Sequence, residues 1–382
     1  MYFIRSNEIP RSAEVVVIGS GVIGLTIARA LAQRGVREVC VIERSAVGTE
    51  ASFAAGGILA PQAEADRQDE FFELACRSRD SYLDFAGRLQ EETGIDVELD
   101  TTGTLYVAFS ERDFEEIEAR CEWQAKAGLV VEKLTRKEAR ELEPCLAEHV
   151  RGALHFPRDV QVENRRLVTA LVNSVAQSGI EIFTDTNVES ITTDRRCVTG
   201  VQTSRGSISC KVAIVAAGTW SSAIQLGPAP RIEPVRGQMI CLDAKPQLTR
   251  HVLYSPRGYL VPRRDGRLLA GSTSEHAGFS KQVTAGGISH ILANANEISP
   301  AIASLPILDT WAGLRPRAAD GLPVLGPCDE INGLFYATGH YRNGILLAPV
   351  TGELIAEAVV TGLVSPLLAA FSPNRFNLAH VS

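Results

Sequence analysis

The chain has 382 residues, of which 45% are hydrophobic and 22% are charged, a composition that suits a globular protein of about two domains. Its formal net charge is −7 and no long run of Lys and Arg could follow a phosphate backbone, so we expect no nucleic-acid partner. Eight cysteines without a C-x-x-C pair, and seven histidines without a cluster, disfavour a metal site and a disulfide framework and favour a reducing, cytoplasmic location.

The first apolar segment, Val15 to Ala28, is the most membrane-like stretch of the sequence. It has about 14 residues, fewer than the ~20 that a spanning helix needs. Arg5 and Arg11 precede it and small residues follow it, so it also has the outline of a signal peptide. Cleavage there would remove the strongest motif of the chain, and we therefore expect neither a leader nor a membrane partner.

A strand, a glycine turn and a helix begin within this segment. Val15 to Ile18 is a β-branched run that predicts a buried strand. Gly19, Gly21 and Gly24 follow as G-x-G-x-x-G, and apolar residues then recur at helical spacing until Gly35. The order of strand, turn and helix is that of a dinucleotide-binding unit.

The next strand supports the same interpretation. The segment VREVCVIERS ends its apolar run at Glu43, 19 residues after Gly24, close to where an acidic side chain binds a ribose hydroxyl. Gly19 permits the tight turn, Gly21 lets the backbone approach a pyrophosphate, and Gly24 allows the helix to pack closely on the strand. The alternative is a tight turn without a ligand, which the register of Glu43 disfavours.

Three further segments indicate which dinucleotide is bound. Ala46 to Gln62 is rich in Ala and Gly, so backbone amides could approach a bulky planar ligand, although tight packing gives the same composition. A buried strand at Val212 to Ala216 ends in Ala217-Gly218, and GLPVLGP precedes the strand LFYATGH near the end of the chain. A binding domain assembled from separated pieces is typical of flavin enzymes.

Seven motifs carry a family resemblance, namely VIGSGVIG, FAAGGILAPQAE, VAAGTWS, PVRGQ, GYLVPRRDGRLLAGST, WAGLRPRAADGLPVLG and GHYRNGILLAPVTG. They resemble the D-amino-acid oxidase superfamily of FAD enzymes and, most closely, the glycine oxidases of thiamine biosynthesis. The first and third motifs occur in many flavoproteins, whereas the last two together are more specific. The resemblance runs from about Glu14 to the last helix and so covers nearly the whole chain.

The resemblance implies an α/β fold with a Rossmann-like FAD-binding domain and an α+β substrate domain built on an antiparallel sheet. Period-two patterning in the two blocks between the FAD-like pieces favours such a sheet. We assign the FAD-binding domain to residues 1–85, 160–226 and 312–382. The substrate domain, residues 86–159 and 227–311, would cover the flavin.

The resemblance also implies FAD held without a covalent link. The sarcosine oxidases, a sister group, tether flavin through a cysteine in the C-terminal region, but Cys328 follows GLPVLGP and does not match that position. The residues expected to bind FAD are Gly19, Gly21, Val22, Ile23, Gly24, Glu43, Arg44, Ala51, Ser52, Gly56, Gly57, Ile58, Val188, Gly218, His340, Tyr341, Arg342, Asn343, Gly344, Ile345 and Leu346.

Two side chains match the substrate-binding and catalytic residues of the family. Arg315 corresponds to its carboxylate-binding arginine, and a guanidinium fork fixes the angle as well as the position of a carboxylate. Tyr259 corresponds to a tyrosine whose hydroxyl can donate to the same carboxylate. The alternatives are a surface ion pair for Arg315 and an ordinary core aromatic for Tyr259. We interpret the nearby Arg317 and Asp320 as structural.

Arg342, within GHYRNGILLAPVTGEL, matches a second active-site arginine of the family. We interpret it as positive potential for an anionic substrate and an anionic reduced flavin, with a solvated loop as the alternative. After Gly344 the apolar residues fall on one helical face, with Pro349 tolerated in the first turn and Gly362 ending the helix. The N-terminus of this helix would favour negative charge on the flavin.

Two positions depart from the family pattern. Arg257 stands two residues before Tyr259, where glycine oxidases can carry a histidine. It could widen the preference toward acidic or larger substrates or point to solvent, and we favour solvent. Ser274 stands where a methionine can line the family's pocket, which would make this pocket more polar. The sequence therefore defines the reaction class better than the substrate.

The resemblance implies an oxidase that converts glycine, sarcosine or small D-amino acids such as D-alanine to imino acids while O2 becomes H2O2. One alternative is a D-amino-acid dehydrogenase that passes electrons to a quinone at a membrane, but no basic amphipathic helix is evident. Others are a non-catalytic flavin-binding subunit and the flavin half of a tRNA-modifying enzyme, which the acidic balance disfavours. The family also implies a homo-oligomer, a tetramer.

Overall fold

The structure is a computed structural model that describes residues 8–226 and 230–380. Arg5 of the leader-like pattern, and the parts of the predicted domains at 1–7, 227–229 and 381–382, lie outside the described residues. The strands are β1 (Val15–Ile18), β2 (Val39–Ile42), β3 (Ile58–Leu59), β4 (Thr104–Ala108), β5 (Glu132–Thr135), β6 (Gly152–Phe156), β7 (Val160–Gln161), β8 (Glu181–Phe183), β9 (Val188–Asp194), β10 (Cys197–Thr203), β11 (Gly206–Ser209), β12 (Val212–Val215), β13 (Ile232–Asp243), β14 (Val252–Ser255), β15 (Gly258–Pro262), β16 (Arg267–Gly271), β17 (Ile307–Ala318), β18 (Val324–Pro327) and β19 (Leu334–Thr338). The helices are α1 (Val22–Gln33), α2 (Ala51–Ala54), α3 (Pro61–Glu64), α4 (Glu70–Thr93), α5 (Glu111–Lys126), α6 (Arg136–Leu142), α7 (Asn164–Gln177), α8 (Ala285–Ile298) and α9 (Gly344–Thr361), with 3₁₀ helices at Gly218–Ala223, Pro300–Ser304, Pro366–Phe371 and Pro373–His380.

A six-stranded sheet in the order β18-β19-β12-β1-β2-β8 forms the Rossmann-like part, parallel except where β18 meets β19. Strand β1 is buried on both faces. Val15 and Val17 pack among the helices α1, α4, α7 and α9, whereas Val16 and Ile18 pack toward the three-stranded sheet β11-β10-β9. A parallel strand covered on both sides must be apolar throughout, which is why its run carries no polar alternation.

Four of these parallel strands end at the same edge of the sheet. Strand β1 runs into Gly19, β2 into Glu43, β12 into Ala216 and β19 into Gly339. In open α/β sheets, ligands bind in the crevice beyond the carboxyl ends of the strands. The motifs recognised in separate parts of the sequence therefore meet at one place.

The second sheet has eight strands in the order β17-β13-β16-β15-β14-β4-β6-β5. Its described pairs are antiparallel except β14 with β4, which is parallel and joins the two separate inserts. The predicted α/β fold with a second, largely antiparallel sheet is confirmed. The predicted boundaries at 85/86 and 311/312 fall inside α4 and β17, so the division into domains stays a prediction.

Among the described residues, α9 rather than the first apolar segment is long and apolar enough to cross a membrane, by length and composition only. The prediction that Val15 to Ala28 is the most membrane-like stretch was therefore wrong. Sixty-seven per cent of α9 is buried inside the protein, where it contacts α1 and α4. The four residues predicted to form its apolar face, Leu347, Val350, Leu354 and Ala358, are all buried, and burial extends beyond that face to most of the helix.

Pro349 lies in the second turn of α9 rather than the first. A proline there cannot donate to the carbonyl of Ile345, four residues earlier. The hydroxyl of Tyr82 on α4 donates to that carbonyl instead, and Ser78 Oγ donates to the carbonyl of Leu346 at 2.6 Å. Helix α4 thus supplies hydrogen bonds beside the interruption, and α9 continues to Gly362 in the left-handed conformation (φ 72°).

Candidate active site

One cavity runs from the carboxyl ends of the parallel strands to the eight-stranded sheet and collects most of the predicted residues. The predicted residues that line it are Gly21, Val22, Ile23, Glu43, Arg44, Ala51, Ser52, Gly56, Gly57, Ile58, Val188, Gly218, Tyr259, Arg315, His340, Tyr341, Arg342, Gly344 and Ile345. Those that do not line it are Gly19, Gly24, Asn343 and Leu346.

Gly19 and Gly24 lie behind the cavity wall and shape it through the backbone. Gly19 has φ 109°, and a Cβ there would lie 2.5 Å from the carbonyl oxygen of Ala216. A Cβ on Gly24 would lie 1.9 Å from the carbonyl oxygen of Gly19. Asn343 is the residue before the first turn of α9, and Leu346 is 2% exposed in the core. These four residues therefore support the site without facing it.

Glu43 presents a carboxylate to the cavity. Its Oε2 accepts from the backbone N–H of Ser20 (2.9 Å) and from Ser20 Oγ (2.8 Å). Its Oε1 accepts from the backbone N–H of Ser45 (3.0 Å) and from Ser45 Oγ (3.2 Å). Hydroxyl groups rotate and backbone amides do not, so ribose hydroxyls could replace the serine hydroxyls while the amides hold the carboxylate. Ser20 and Ser45 were not predicted as site residues.

The N-terminus of α1 faces the cavity, as the glycine motif predicts. The backbone N–H of Val22 donates to Ser52 Oγ at 2.9 Å. Asn164 Nδ2 donates to the carbonyls of Ser52 (2.8 Å) and Phe53 (3.0 Å), which pins this segment to α7. The positive end of the helix dipole is therefore directed at the place where a pyrophosphate would bind. No motif pointed to Asn164.

Arg44 also lines the cavity. Its guanidinium lies 3.6 Å from the ring centroid of Trp220 and donates from Nη2 to Glu50 Oε1 at 2.7 Å. Lys281, from the loop after β16, reaches Glu50 Oε2 at 3.0 Å. A residue of the second insert thus contacts the predicted cofactor region at a distance from the eight-stranded sheet.

Arg315 is half-buried in the cavity wall and has no ion-pair partner among the described residues. Its Nη2 donates to Ser272 Oγ (2.7 Å) and its Nη1 to the carbonyl of Thr273 (3.1 Å). A Cβ on Gly237 would lie 2.2 Å from Nη1, so only glycine leaves room for the guanidinium. A surface ion pair, the alternative considered for Arg315, is absent from the described structure.

Tyr259 lines the same cavity as Arg315 and also packs against two core clusters. Its hydroxyl contacts Met239 Sδ at 3.2 Å, a weak acceptor that leaves the hydroxyl available to a stronger one. A Cβ on Gly56 would lie 3.4 Å from the ring, and a Cβ on Gly271 would lie 3.0 Å from the hydroxyl. Small residues thus make the space in which a ligand could meet Tyr259.

Arg342 lines the cavity, but its charge is partly offset. Nη2 donates to Tyr254 Oη at 2.7 Å and lies 3.9 Å from Glu64 Oε1. The nearby negative charge of Glu64, followed by Tyr254, raises the pKa of Arg342 further above its already high usual value. Burial, and then the charge of Glu64, raises the pKa of Tyr254. The positive potential predicted for Arg342 stays a prediction, and a carboxylate that the sequence analysis did not assign lies beside it.

His340 lines the cavity as a neutral imidazole. Its Nε2 lies 3.1 Å from Thr351 Oγ1 on α9, and burial lowers its pKa to about 3. In an unfolded chain the same group titrates near its ordinary value of 6.5. His340 therefore adds no positive charge to the site at neutral pH.

Replacing His340 with Gln should flatten the loss of stability in acid. Between pH 6.5 and about 3 the unfolded chain binds a proton that the folded protein does not, so stability falls as the pH falls, by up to about 1.4 kcal/mol per pH unit. Thermal unfolding of the flavin-loaded protein from pH 7.5 to 4.5 measures the slope. The variant His276→Gln, which changes an exposed histidine, should keep the wild-type slope. Equal slopes for His340→Gln and wild type would contradict the assignment of His340 as a buried, neutral imidazole.

The two positions that depart from the family pattern lie outside the cavity. Arg257 lies away from the pocket with its side chain 27% exposed, but it pairs with Asp113 (2.7 Å) and Glu297 (2.8 Å), which the sequence analysis did not predict. Ser274 is exposed and its hydroxyl lies 3.5 Å from Tyr341 Oη, while Ser272 is the serine that lines the cavity. The predicted increase in pocket polarity at Ser274 therefore has no support in the structure.

Of the neighbours of Arg315 in the chain, Asp320 has a structural partner. Its carboxylate accepts from Nε (2.7 Å) and Nη2 (3.1 Å) of Arg375, which ties the C-terminal segment to the end of β17. Arg317 does not line the cavity, and its guanidinium lies 6.0 Å from the ring of Tyr341. Both placements agree with a structural interpretation.

Arg263 is a buried residue behind the cavity wall that the sequence analysis missed. It is 3% exposed, and burial lowers its pKa to about 10. Its Nη2 donates to the carbonyl of Gly56 (2.8 Å), and its Nη1 donates to Gln161 Oε1 (3.0 Å) and to the carbonyl of Val162 (3.1 Å). Arg263 therefore links the glycine segment of the cavity to β7 and β15. Its neighbour Arg264 is exposed, and nothing in the sequence indicates which of the two adjacent arginines is buried.

The residues present fit FAD. Glu43 and the N-terminus of α1 supply groups for a ribose and a pyrophosphate, at the edge where the four parallel strands end. Thr219, 1% exposed in the cavity wall, has a hydroxyl without a hydrogen-bond partner in the part of the chain that the structure describes. A buried hydroxyl without a partner is costly unless a ligand or water satisfies it.

Comparisons with known proteins give the same assignment. A family model described as FAD dependent oxidoreductase (DAO) matches residues 14–358. The glycine oxidase of Bacillus licheniformis is 36% identical over 371 residues, which cover 96% of this chain and 98% of that protein. The bifunctional protein ThiO/ThiG of Synechocystis sp. is 37% identical over 96% of this chain, which spans 54% of that longer protein.

A solved structure agrees at the level of the whole fold. The crystal structure of glycine oxidase from Geobacillus kaustophilus superposes with a TM-score of 0.92 and 34% sequence identity, covering 96% of this chain and 99% of that one. The family model covers most of the chain, residues 14–358. The chain belongs to the DAO family of FAD-dependent oxidoreductases.

Proposed function

We propose that this protein oxidises glycine, and with it sarcosine and small D-amino acids such as D-alanine, to the imino acid, with O2 as the electron acceptor. The observation that carries the proposal is Arg315, a half-buried guanidinium that lines the cavity without an ion-pair partner among the described residues. A buried cation of this kind calls for an anion. The relatives that bear the name glycine oxidase support the choice of amino acid.

The residues of the chain bind and orient the substrate. Ser272 and the carbonyl of Thr273 take two N–H groups of Arg315 and so fix the plane of the guanidinium, which leaves its other donors for a carboxylate. Tyr259 can donate its hydroxyl to the same carboxylate. Held at one end, a small amino acid has few orientations left, and restricting orientation is a large part of what an active site contributes.

FAD, when bound, supplies the acceptor for a hydride from the substrate carbon that carries the amine, and its reoxidation by O2 yields hydrogen peroxide. The positive end of α9, which begins at Gly344 in the cavity wall, favours negative charge in this region. Tyr259 and Arg342 belong to the proposed substrate site together with Arg315. None of the three needs to act as a strong nucleophile.

A peroxide assay with glycine tests the function. We expect one H2O2 per glycine consumed, and activity with sarcosine, D-alanine and D-proline ranks the substrates. Glycine that bleaches the flavin without oxygen but forms no peroxide in air would indicate a dehydrogenase instead. Absence of both bleaching and peroxide with all four amines would remove the proposal.

FAD is expected to be released intact by acid precipitation of the protein. Cys328, the one cysteine in the C-terminal region where sister enzymes tether flavin, is partly buried against a core cluster of the six-stranded sheet and does not line the cavity. The yellow colour should therefore appear in the supernatant. The flavin measured there by absorbance should account for all the flavin bound to the native protein. A yellow pellet after washing would show a covalent link.

We further propose a homo-oligomer, a tetramer by family resemblance, located in the cytoplasm. The eight free cysteines are consistent with a reducing compartment. The name ThiO/ThiG of a relative supports a place in thiamine biosynthesis. Light scattering of the purified protein measures the mass of the assembly, and a monomer of 41.2 kDa would contradict the tetramer.

A further inference from the structure

The cavity contains a carboxylate, Glu64, at the end of α3. Its side chain is 28% exposed, and Oε1 accepts from Tyr254 Oη at 3.1 Å. The same oxygen lies 3.9 Å from Arg342 Nη2. Glu64 therefore faces the cavity from within a short network whose other members are a tyrosine and an arginine.

Contacts between aromatic rings place this network next to the proposed carboxylate site. Tyr254 stacks on Tyr259 with ring centroids 5.9 Å apart and an angle of 29° between the planes. Tyr259 lines the cavity together with Arg315. Tyr254 therefore contacts both Glu64 and Tyr259, the tyrosine that would contact the substrate.

The charges at this end of the cavity are unequal. Arg315 has no carboxylate partner among the described residues, whereas Arg342 has Glu64 beside it and spends one N–H on Tyr254. The other acidic residues that line the cavity, Glu43 and Glu50, have partners of their own: Glu43 accepts from Ser20 and Ser45, and Glu50 accepts from Arg44 and Lys281. Arg315, Arg342 and Glu64 together therefore carry a net excess of one positive charge, which one carboxylate would neutralise.

We propose that Glu64 determines substrate specificity, restricting the site to amines with a single carboxylate. It neutralises Arg342, so that this arginine does not recruit a second anionic group, and it repels such a group directly. This inference rests on the proposed oxidation of an amino acid whose carboxylate binds Arg315. It adds that amines with two carboxylates are excluded by charge.

Two non-reactive acids separate this role from catalysis. Methoxyacetate carries one carboxylate, and diglycolate has the same C–O–C chain with a second carboxylate. Their dissociation constants from the flavin-loaded protein can be measured by the change in flavin absorbance, without turnover. Wild type should bind methoxyacetate more tightly, and Glu64→Gln should shift the ratio of dissociation constants toward diglycolate by about tenfold or more.

Asp66→Asn is the matched control, because Asp66 lies two residues away, is 88% exposed and pairs with Arg120 outside the cavity. This variant should keep the wild-type ratio. Glu64→Ala carries the same expectation as Glu64→Gln and replaces it if the first variant loses flavin. A ratio unchanged within about twofold in a flavin-loaded Glu64 variant would overturn the proposal. If neither acid binds to wild type, the carboxylate site at Arg315 fails, and the specificity proposal fails with it.

Discussion

Replacing Arg315 with Met is expected to raise the KM for glycine by roughly 30-fold to several-thousand-fold, which corresponds to about 2–5 kcal/mol of lost carboxylate binding. Methionine retains an unbranched side chain but has no N–H donors, so a carboxylate that enters the cavity would lose water without a replacement. The folded protein itself loses only the bonds to Ser272 and Thr273. Steady-state peroxide formation measures the KM for glycine. The dissociation constant of methoxyacetate measures carboxylate binding without turnover.

Arg317→Met provides the comparison on the same strand. Arg317 lies two residues further along β17, outside the cavity, and its loss should change KM by no more than about twofold. Flavin absorbance shows whether each variant retains its cofactor. If Arg315→Met retained FAD and kept the wild-type KM, Arg315 would have no role in binding the substrate.

Gly24→Ala should prevent assembly of the folded, flavin-loaded protein. The added Cβ would lie 1.9 Å from the carbonyl oxygen of Gly19 and 3.4 Å from a methyl group of Val17. The closer neighbour is backbone, so the conflict cannot be relieved by a change of rotamer and requires α1 to move away from β1. We expect the free energy of unfolding to fall by about 3 kcal/mol or more. Thermal unfolding, together with the ratio of flavin to protein after purification, reports this loss.

Gly87→Ala is the corresponding control in α4. Gly87 is exposed, and a Cβ built there has no atom within 4 Å. Alanine is the better helix former, so this variant should gain about 0.5–1 kcal/mol. Equal melting temperatures for Gly24→Ala and wild type, with full flavin content, would mean that the close approach of α1 to β1 is not required.

The network around Arg263 shows why the cavity wall depends on distant parts of the chain. Arg263 and Asn164 both contact the 52–57 segment, one through the carbonyl of Gly56 and the other through that of Ser52. Nη2 of Arg263 also lies 3.2 Å from Asn164 Oδ1. A segment of small residues has few side-chain contacts of its own, so these donors hold its backbone in place.

The sequence by itself determined the elements whose signals are local. The strand at Val15–Ile18 has the predicted bounds, and α1 follows the glycine turn and ends just before Gly35, which has φ 85°. Helix α9 begins at Gly344 and ends at Gly362 as predicted. Apolar periodicity and the backbone freedom of glycine are properties of a few consecutive residues, so a single segment contains the information.

Only the tertiary structure decided which side chains neutralise one another. Arg257 meets Asp113, 144 residues away in the chain, and so is held outside the pocket in an ion pair that is partly exposed to solvent. Arg342 meets Tyr254 and Glu64, so a nearby carboxylate partly offsets the positive potential predicted for it. The motifs identified Arg315 and Arg342 alike, but only the folded chain leaves one without a carboxylate partner among the described residues and supplies one to the other. Electrostatic energy depends on the distance between charges in space, and that distance exists only after the two sheets and the helices between them have packed.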